Sequence, residues 1–299
     1  MDSFSIRLTL ALQRVQNPLV VGLDPRVDQL PEPMRPATNS AEDVARAYRD
    51  FCKGVIDVVS PLVAAVKPQA AFFEAIGPAG CQALADVMAY ARAKGLLVLL
   101  DGKRNDIGST AFAYAQAYLD GENSPWKSDA LTVSPYLGDD SIEPFVSKAT
   151  EAGTGIFVLV KTSNPGAGMF QDLTVDRRPL YRHVGDHVAR LAEQTMDESG
   201  YGAVGAVVGA TYPEQLAELR STMARAWFLV PGFGNQGGVA ADVAVAFDEN
   251  GLGAIINSSR AIIFAHAREE YRDEYGVKRW QAAVEAATCD AIDALRSVI

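Results

Sequence analysis

Cysteine, histidine and tryptophan each occur only three times in 299 residues, and each scarcity narrows what the chain can be. Cys52, Cys81 and Cys289 are far apart and odd in number, and they form neither a Cys-x-x-Cys pair nor a Cys/His ligand spacing. Buried, reduced thiols are therefore expected. His183 and His187 stand four apart in a predicted helix, but Val184-Gly185-Asp186 between them lacks the glutamate of a zinc-protease helix, so a solvated face is expected. His266 reads as structural. Trp126, Trp227 and Trp280 have no interleaved basic residues and read as packing groups.

Positive charge is also short. Against 37 Asp and Glu there are 27 Lys and Arg, a net charge of -10, which excludes the broad basic footprint that sequence-independent nucleic-acid binding needs. An anionic ligand must be met locally. No apolar run approaches the roughly 18 residues of a membrane span, and Met1–Arg7 shows no charged region followed by an apolar core, so no membrane partner and a cytoplasmic location are expected.

What the chain does contain is ordinary globular composition, 48% hydrophobic and 21% charged, arranged as short apolar runs alternating with longer amphipathic stretches. The runs are Leu19–Leu23, Leu62–Val66, Leu96–Leu100, Ala130–Ser134, Gly155–Val160, Ala203–Val208, Ala226–Val230 and Gly253–Asn257. Eight parallel strands with helices between them make a closed (β/α)₈ barrel, a TIM barrel in the α/β class. Predicted helices include Ser40–Val59, with Ser40 as N-cap, then Ala79–Ala93, Ala111–Leu119, Ser141–Ala149, Leu180–Glu198, Tyr212–Met223, Ala240–Phe247 and a final Ala282–Val298. The Pro-rich Pro31–Pro36 follows the first strand directly and reads as a long loop rather than a linker. With no shift of composition, residues 1–299 are expected to be a single barrel domain carrying an N-terminal helix and a C-terminal helical extension.

Almost every run ends in a residue that cannot pack a hydrophobic barrel: Asp24, Lys67, Asp101-Gly102-Lys103, Lys161 to Asn164, and Asn257 to Arg260. Active sites of such barrels lie at the C-terminal ends of the strands. Asp24, Lys67, Asp101, Lys103 and Asp106 are taken as functional, whereas Lys161, Asp139 and Asp140 are expected to be ordinary solvated positions. Asp101 and Lys103 alternate by two, so on extended backbone both face the barrel mouth. An ammonium set between carboxylates is favoured in its charged form and can donate a proton to a carbanion.

The segment Asp101-Gly102-Lys103-Arg104-Asn105-Asp106-Ile107 resembles the Asp-x-Lys-x-x-Asp-Ile signature of the orotidine 5′-phosphate decarboxylase family. The likeness extends to Val21-Gly22-Leu23-Asp24, Val66-Lys67-Pro68, Thr162-Ser163-Asn164-Pro165-Gly166, the turn from Pro231 to Gly238 and Ser259-Arg260, in the same order, and looks like the longer bacterial branch. It implies metal-free, cofactor-free decarboxylation of orotidine 5′-monophosphate to uridine 5′-monophosphate. Asp24 and Lys67 would hold the ribose hydroxyls, Asp101 would sit near the substrate carboxylate, and Lys103 would donate the proton. Ser163 would contact the pyrimidine, and Gln236 and Arg260 would hold the phosphate with amides of the glycine-rich turn. Pro231, Gly234 and Ser259 are counted among the substrate contacts. Asp106, Ile107 and Thr110 would reach into the site of a second subunit, so a homodimer with shared sites is implied.

A physical reading agrees on the phosphate, because loops after the last two barrel strands commonly form that site and arginine offers a fixed fork of donors. Gly232–Gly237 also matches a dinucleotide-binding pattern, but it follows the seventh strand and lacks the acidic residue about 20 positions later. Two other readings stay open: a metal-dependent sugar-phosphate aldolase or decarboxylase, for which Glu74 is the candidate ligand, and a catalytically silent phosphate-binding barrel.

Overall fold

The computed structural model describes residues 2–234 and 240–299. Among these, eight parallel strands close on themselves in the order β1-β8-β7-β6-β5-β4-β3-β2: β1 (Leu19–Leu23), β2 (Ala65–Pro68), β3 (Leu97–Arg104), β4 (Ala130–Val133), β5 (Gly155–Lys161), β6 (Val204–Val208), β7 (Phe228–Pro231) and β8 (Ala254–Ser258). All eight expected runs supply a strand. The second starts later than its apolar run because Leu62 and Val63 donate to Val59 O and finish the preceding helix instead.

The helix Ala41–Val59 begins where its cap dictates, with Asp43 N donating to Ser40 Oγ at 3.2 Å. The predicted Leu180–Glu198 is shorter, Leu180–Gln194. Thr195 ends it: its hydroxyl donates to Leu191 O and accepts from Ala203 N, turning the chain toward β6. A small antiparallel hairpin, Thr174–Val175 with Arg178–Pro179, was not expected. No helix among the described residues is long and apolar enough to cross a membrane.

Side chains alternate across each strand, so one row faces the barrel interior and the other faces the helices. Val20, Ala65, Leu97, Leu99, Ala130, Phe157, Val207, Leu229 and Ile255 form the inner cluster, and the helix Phe4–Val15 presses Phe4, Leu8 and Leu12 onto it. Phe4 meets Phe157 edge-on at 5.9 Å between ring centres, so this helix closes the N-terminal end of the barrel. The outer rows, such as Leu19, Val21 and Leu23, join a larger cluster beneath the helices.

One expectation about cysteine needs correcting. Only Cys52 is buried; Cys81 is half-buried and Cys289 exposed, and all three are free. Cys289 lies on the outer face of Trp280–Arg296, where a helical period sends every third or fourth residue to solvent.

Because Leu8 is wholly enclosed, Leu8→Ala should lower unfolding free energy by about 2–5 kcal/mol through lost burial and a cavity. Guanidinium denaturation measures this; a loss below about 1 kcal/mol would mean the N-terminal helix is only loosely docked.

Candidate active site

On β2, β3 and β4 the inward row turns from apolar to polar near its C-terminal end. Ala65 gives way to Lys67, Leu97 and Leu99 to Asp101, and Ala130 to Thr132. Lys67, Asp101, Lys103, Thr132, Thr162, Ser163, Asn164 and Pro231 thereby line a cavity of about 210 Å³ whose floor is Leu159, Val207 and Leu229. A wider cleft of about 400 Å³ lies at the opposite end of the barrel, against Gln16, Asn17, Arg296 and Ile299. Arg296 there already donates to Val15 O and Gln16 O, and the strand ends that carry chemistry in these barrels face the other way.

Asp101 is the centre of the upper cavity. Its Oδ2 accepts from Lys67 Nζ at 2.8 Å and Gln69 Nε2 at 2.9 Å, and its Oδ1 accepts from Lys103 Nζ at 2.5 Å and Thr132 Oγ1 at 2.9 Å. Burial alone would raise its pKa, yet the Lys67 and Lys103 ammonium groups hold it far below the usual carboxylate range. Lys67 is the mirror case. Burial opposes its charge, but Asp101 and then Asp24 outweigh that and raise its pKa above the ordinary lysine value.

The expected proximity of Asp101 and Lys103 is present, but simple extended alternation does not produce it. The β3–β4 register jumps from Leu100↔Leu131 to Arg104↔Val133, and Lys103 occupies the left-handed region at φ 44°, where a non-glycine residue is strained. Arg104 fastens the far side of this bulge by donating to Gly102 O at 2.9 Å and by pairing with Glu74. That ion pair commits the carboxylate suggested as a metal ligand.

The other sequence-predicted residues are placed unequally. Asp24 is half-buried, and its Oδ1 is enclosed with no hydrogen-bond partner among the described residues. Ser259 Oγ is in the same condition. Gly22 lets these strand ends approach, since a Cβ there would stand 2.7 Å from Ser259 Cβ. Pro231 pairs with Asn257 in the β7–β8 register, and Gly234 follows at φ 84°, a conformation that favours glycine. Arg260 opens the short helix after β8, and no carboxylate among the described residues pairs with it. Gln236 lies outside the described residues.

Asp106, Ile107 and Thr110 stand outside this cavity. Asp106 Oδ1 accepts from Ile107 N at 2.8 Å, while Ile107 and Thr110 are exposed. Lys161 requires correction: it is not solvated but enclosed, paired with Asp172, with its ammonium over the Tyr181 and Tyr212 rings. Burying that charge is tolerated because a carboxylate and two ring faces replace water. Asp139 and Asp140 are exposed, as expected. His183 contacts Val175 O and His187 contacts Arg190, so the two do not share a partner.

Sequence reasoning missed Thr132 and Gln69. A signal for Thr132 exists in its inward phase with Ala130, a hydroxyl midway along the run Ala130–Ser134.

Comparisons with known proteins converge on one family. The model of the orotidine 5′-phosphate decarboxylase / HUMPS family matches residues 17–274. An orotidine 5′-phosphate decarboxylase of Rhodopirellula baltica is 54% identical over 301 residues, covering 99% of this chain and 100% of the relative. One from Deinococcus radiodurans is 46% identical and covers 83% of this chain and 84% of the relative. Among solved structures, the OMP decarboxylase of Leishmania donovani superposes with TM-score 0.76 at 33% identity, covering 99% of this chain and 98% of the other.

The Asp101 pKa is depressed, so its stabilisation is full above the ordinary carboxylate value near 4 and is lost as pH falls below it. The Lys67 contribution is full below about 10.4 and is lost as pH climbs through its raised value. Asp101→Asn should therefore cost about 3–5 kcal/mol at neutral pH by leaving Lys67 buried without its counter-charge. The gap to the unaltered protein should narrow below about pH 4. Denaturation midpoints followed from pH 7 to pH 3 measure this, and parallel curves would contradict it.

Proposed function

The chain belongs to the orotidine 5′-phosphate decarboxylase / HUMPS family, and from that premise we propose that it converts orotidine 5′-monophosphate to uridine 5′-monophosphate, in pyrimidine synthesis, without metal or organic cofactor. It is a carboxy-lyase by its relatives. The observation that carries the finer reading is the Asp101 carboxylate held between Lys67 and Lys103 on the wall of the cavity.

In this reading the bond between the pyrimidine ring carbon and the carboxylate breaks, the electron pair stays on the carbon, and carbon dioxide leaves. The Lys103 ammonium stabilises the developing carbanion and passes it a proton, after which the neutral amine regains one from water. An electrostatic partner is needed because the ring offers no obvious covalent sink for the electrons.

Asp24 and Lys67 take the ribose hydroxyls; the enclosed Asp24 Oδ1, an acceptor without a donor among the described residues, supports this. Ser163, on the cavity wall, takes the pyrimidine. Arg260, Gln236 and the turn around Pro231 and Gly234, with Ser259, take the phosphate, and on a chain of net charge -10 an arginine with no carboxylate partner among the described residues suits that role.

A homodimer with shared sites belongs to the same proposal. Asp106 and the exposed Ile107 and Thr110 lie beside the cavity rather than in it, as residues serving a second subunit would. Phe112, Tyr136 and Leu137 add large exposed apolar surface. A cytoplasmic setting is proposed on the three free thiols.

Ultraviolet absorbance of orotidine 5′-monophosphate, followed with purified protein in excess chelator, tests the reaction. Turnover is expected, with Lys103→Ala reducing kcat by at least about 100-fold, the lower end of what a positioned proton donor contributes. Absence of turnover by the unaltered protein would sink the proposal; retained activity in the variant would refute only the role of Lys103. Mixing Asp106→Asn with Lys103→Ala subunits should restore some activity if sites are shared, and no recovery despite demonstrated subunit exchange counts against that.

A further inference from the structure

We infer that Thr132 is a positioning residue that sets the geometry of the Asp101–Lys103 pair; this rests on the reading of that pair as the reacting centre. Thr132 is buried on β4 and its hydroxyl makes two contacts with β3. It donates to Asp101 Oδ1 at 2.9 Å and accepts from Lys103 N at 2.9 Å.

The need for such a group follows from the bulge. Between Leu100↔Leu131 and Arg104↔Val133, β3 advances four residues while β4 advances two. Thr132 stands opposite the surplus, where the regular ladder is interrupted. At this interruption, with Lys103 at φ 44°, the Lys103 N–H donates to the Thr132 hydroxyl. A strained φ persists only where its surroundings over-determine it, and here the hydroxyl on one side and the Arg104 contacts on the other do so. The same oxygen orients the carboxylate through its proton, so one side chain couples the backbone of Lys103 to the charge that Lys103 Nζ meets at 2.5 Å. Valine has nearly the same shape and neither capacity; serine keeps both.

Thr132→Val and Thr132→Ser, compared with the unaltered full chain, test this. Thr132→Val should lower kcat by about 10–100-fold, the scale of an ångström-level misplacement of reacting groups, while KM changes by less than about 3-fold because the ribose and phosphate contacts lie elsewhere. Thr132→Ser should recover most of the loss. A Thr132→Val enzyme with unaltered kcat, or serine no better than valine, overturns the inference. A crystal structure of Thr132→Val separates this result from the fate of the proposed reaction, since it needs no turnover. Lys103 φ is expected to leave the positive region and its ammonium to part from Asp101; both unchanged would overturn the role.

Discussion

The sharing of one buried carboxylate, Asp101, between two lysines is the constraint around which the upper barrel is arranged. Lys67 is buried and Lys103 reaches solvent; the two ammonium groups would still repel each other, and Asp101 supplies the opposite charge that allows both to remain. Asp24 extends the same balance from β1 by favouring the charge on Lys67. The cavity therefore has fixed charges on adjacent strands before any ligand arrives. Such preorganisation lets charge developing in a transition state meet groups that need not reorient.

The barrel makes the arrangement affordable by dividing its labour along its axis. Its lower inward layers are apolar and are closed by Phe4, Leu8 and Leu12, so packing energy resides away from the charged rim. At the rim, three departures from regular geometry coincide at the end of β3: a register jump, a lysine at positive φ, and a threonine hydroxyl facing the break. Strain of this kind survives on the rigid scaffold beneath it, and it turns a strand end into a site.

Much of this was legible in the sequence because it rests on short-range patterns. Eight apolar runs mark eight strands and Ser40 marks a helix start; the nearness of Asp101 and Lys103 is also expected, though the β3 bulge rather than regular alternation produces it. What escaped depended on contacts between distant segments. Nothing local announces that Lys161 will meet Asp172, Tyr181 and Tyr212, or that Leu62 and Val63 will finish a helix rather than begin a strand. Thr132 hid for a different reason: an apolar run reads as packing, and its hydroxyl acquires meaning only opposite the β3 bulge. The expected burial of all three cysteines fails because helix face, not residue type alone, decides exposure.

The central claim, that the charges around Asp101 hold the reacting part of a nucleotide whose phosphate lies at Arg260, is most directly tested by a crystal structure with uridine 5′-monophosphate bound. The expected result puts the phosphate on Arg260 and the turn after β7, and the pyrimidine in the cavity with its reacting carbon within about 3–3.5 Å of Lys103 Nζ, the range of a near-attack geometry. A nucleotide bound in the basal cleft beside Arg296, or one seated with its pyrimidine turned away from Lys103, would contradict it.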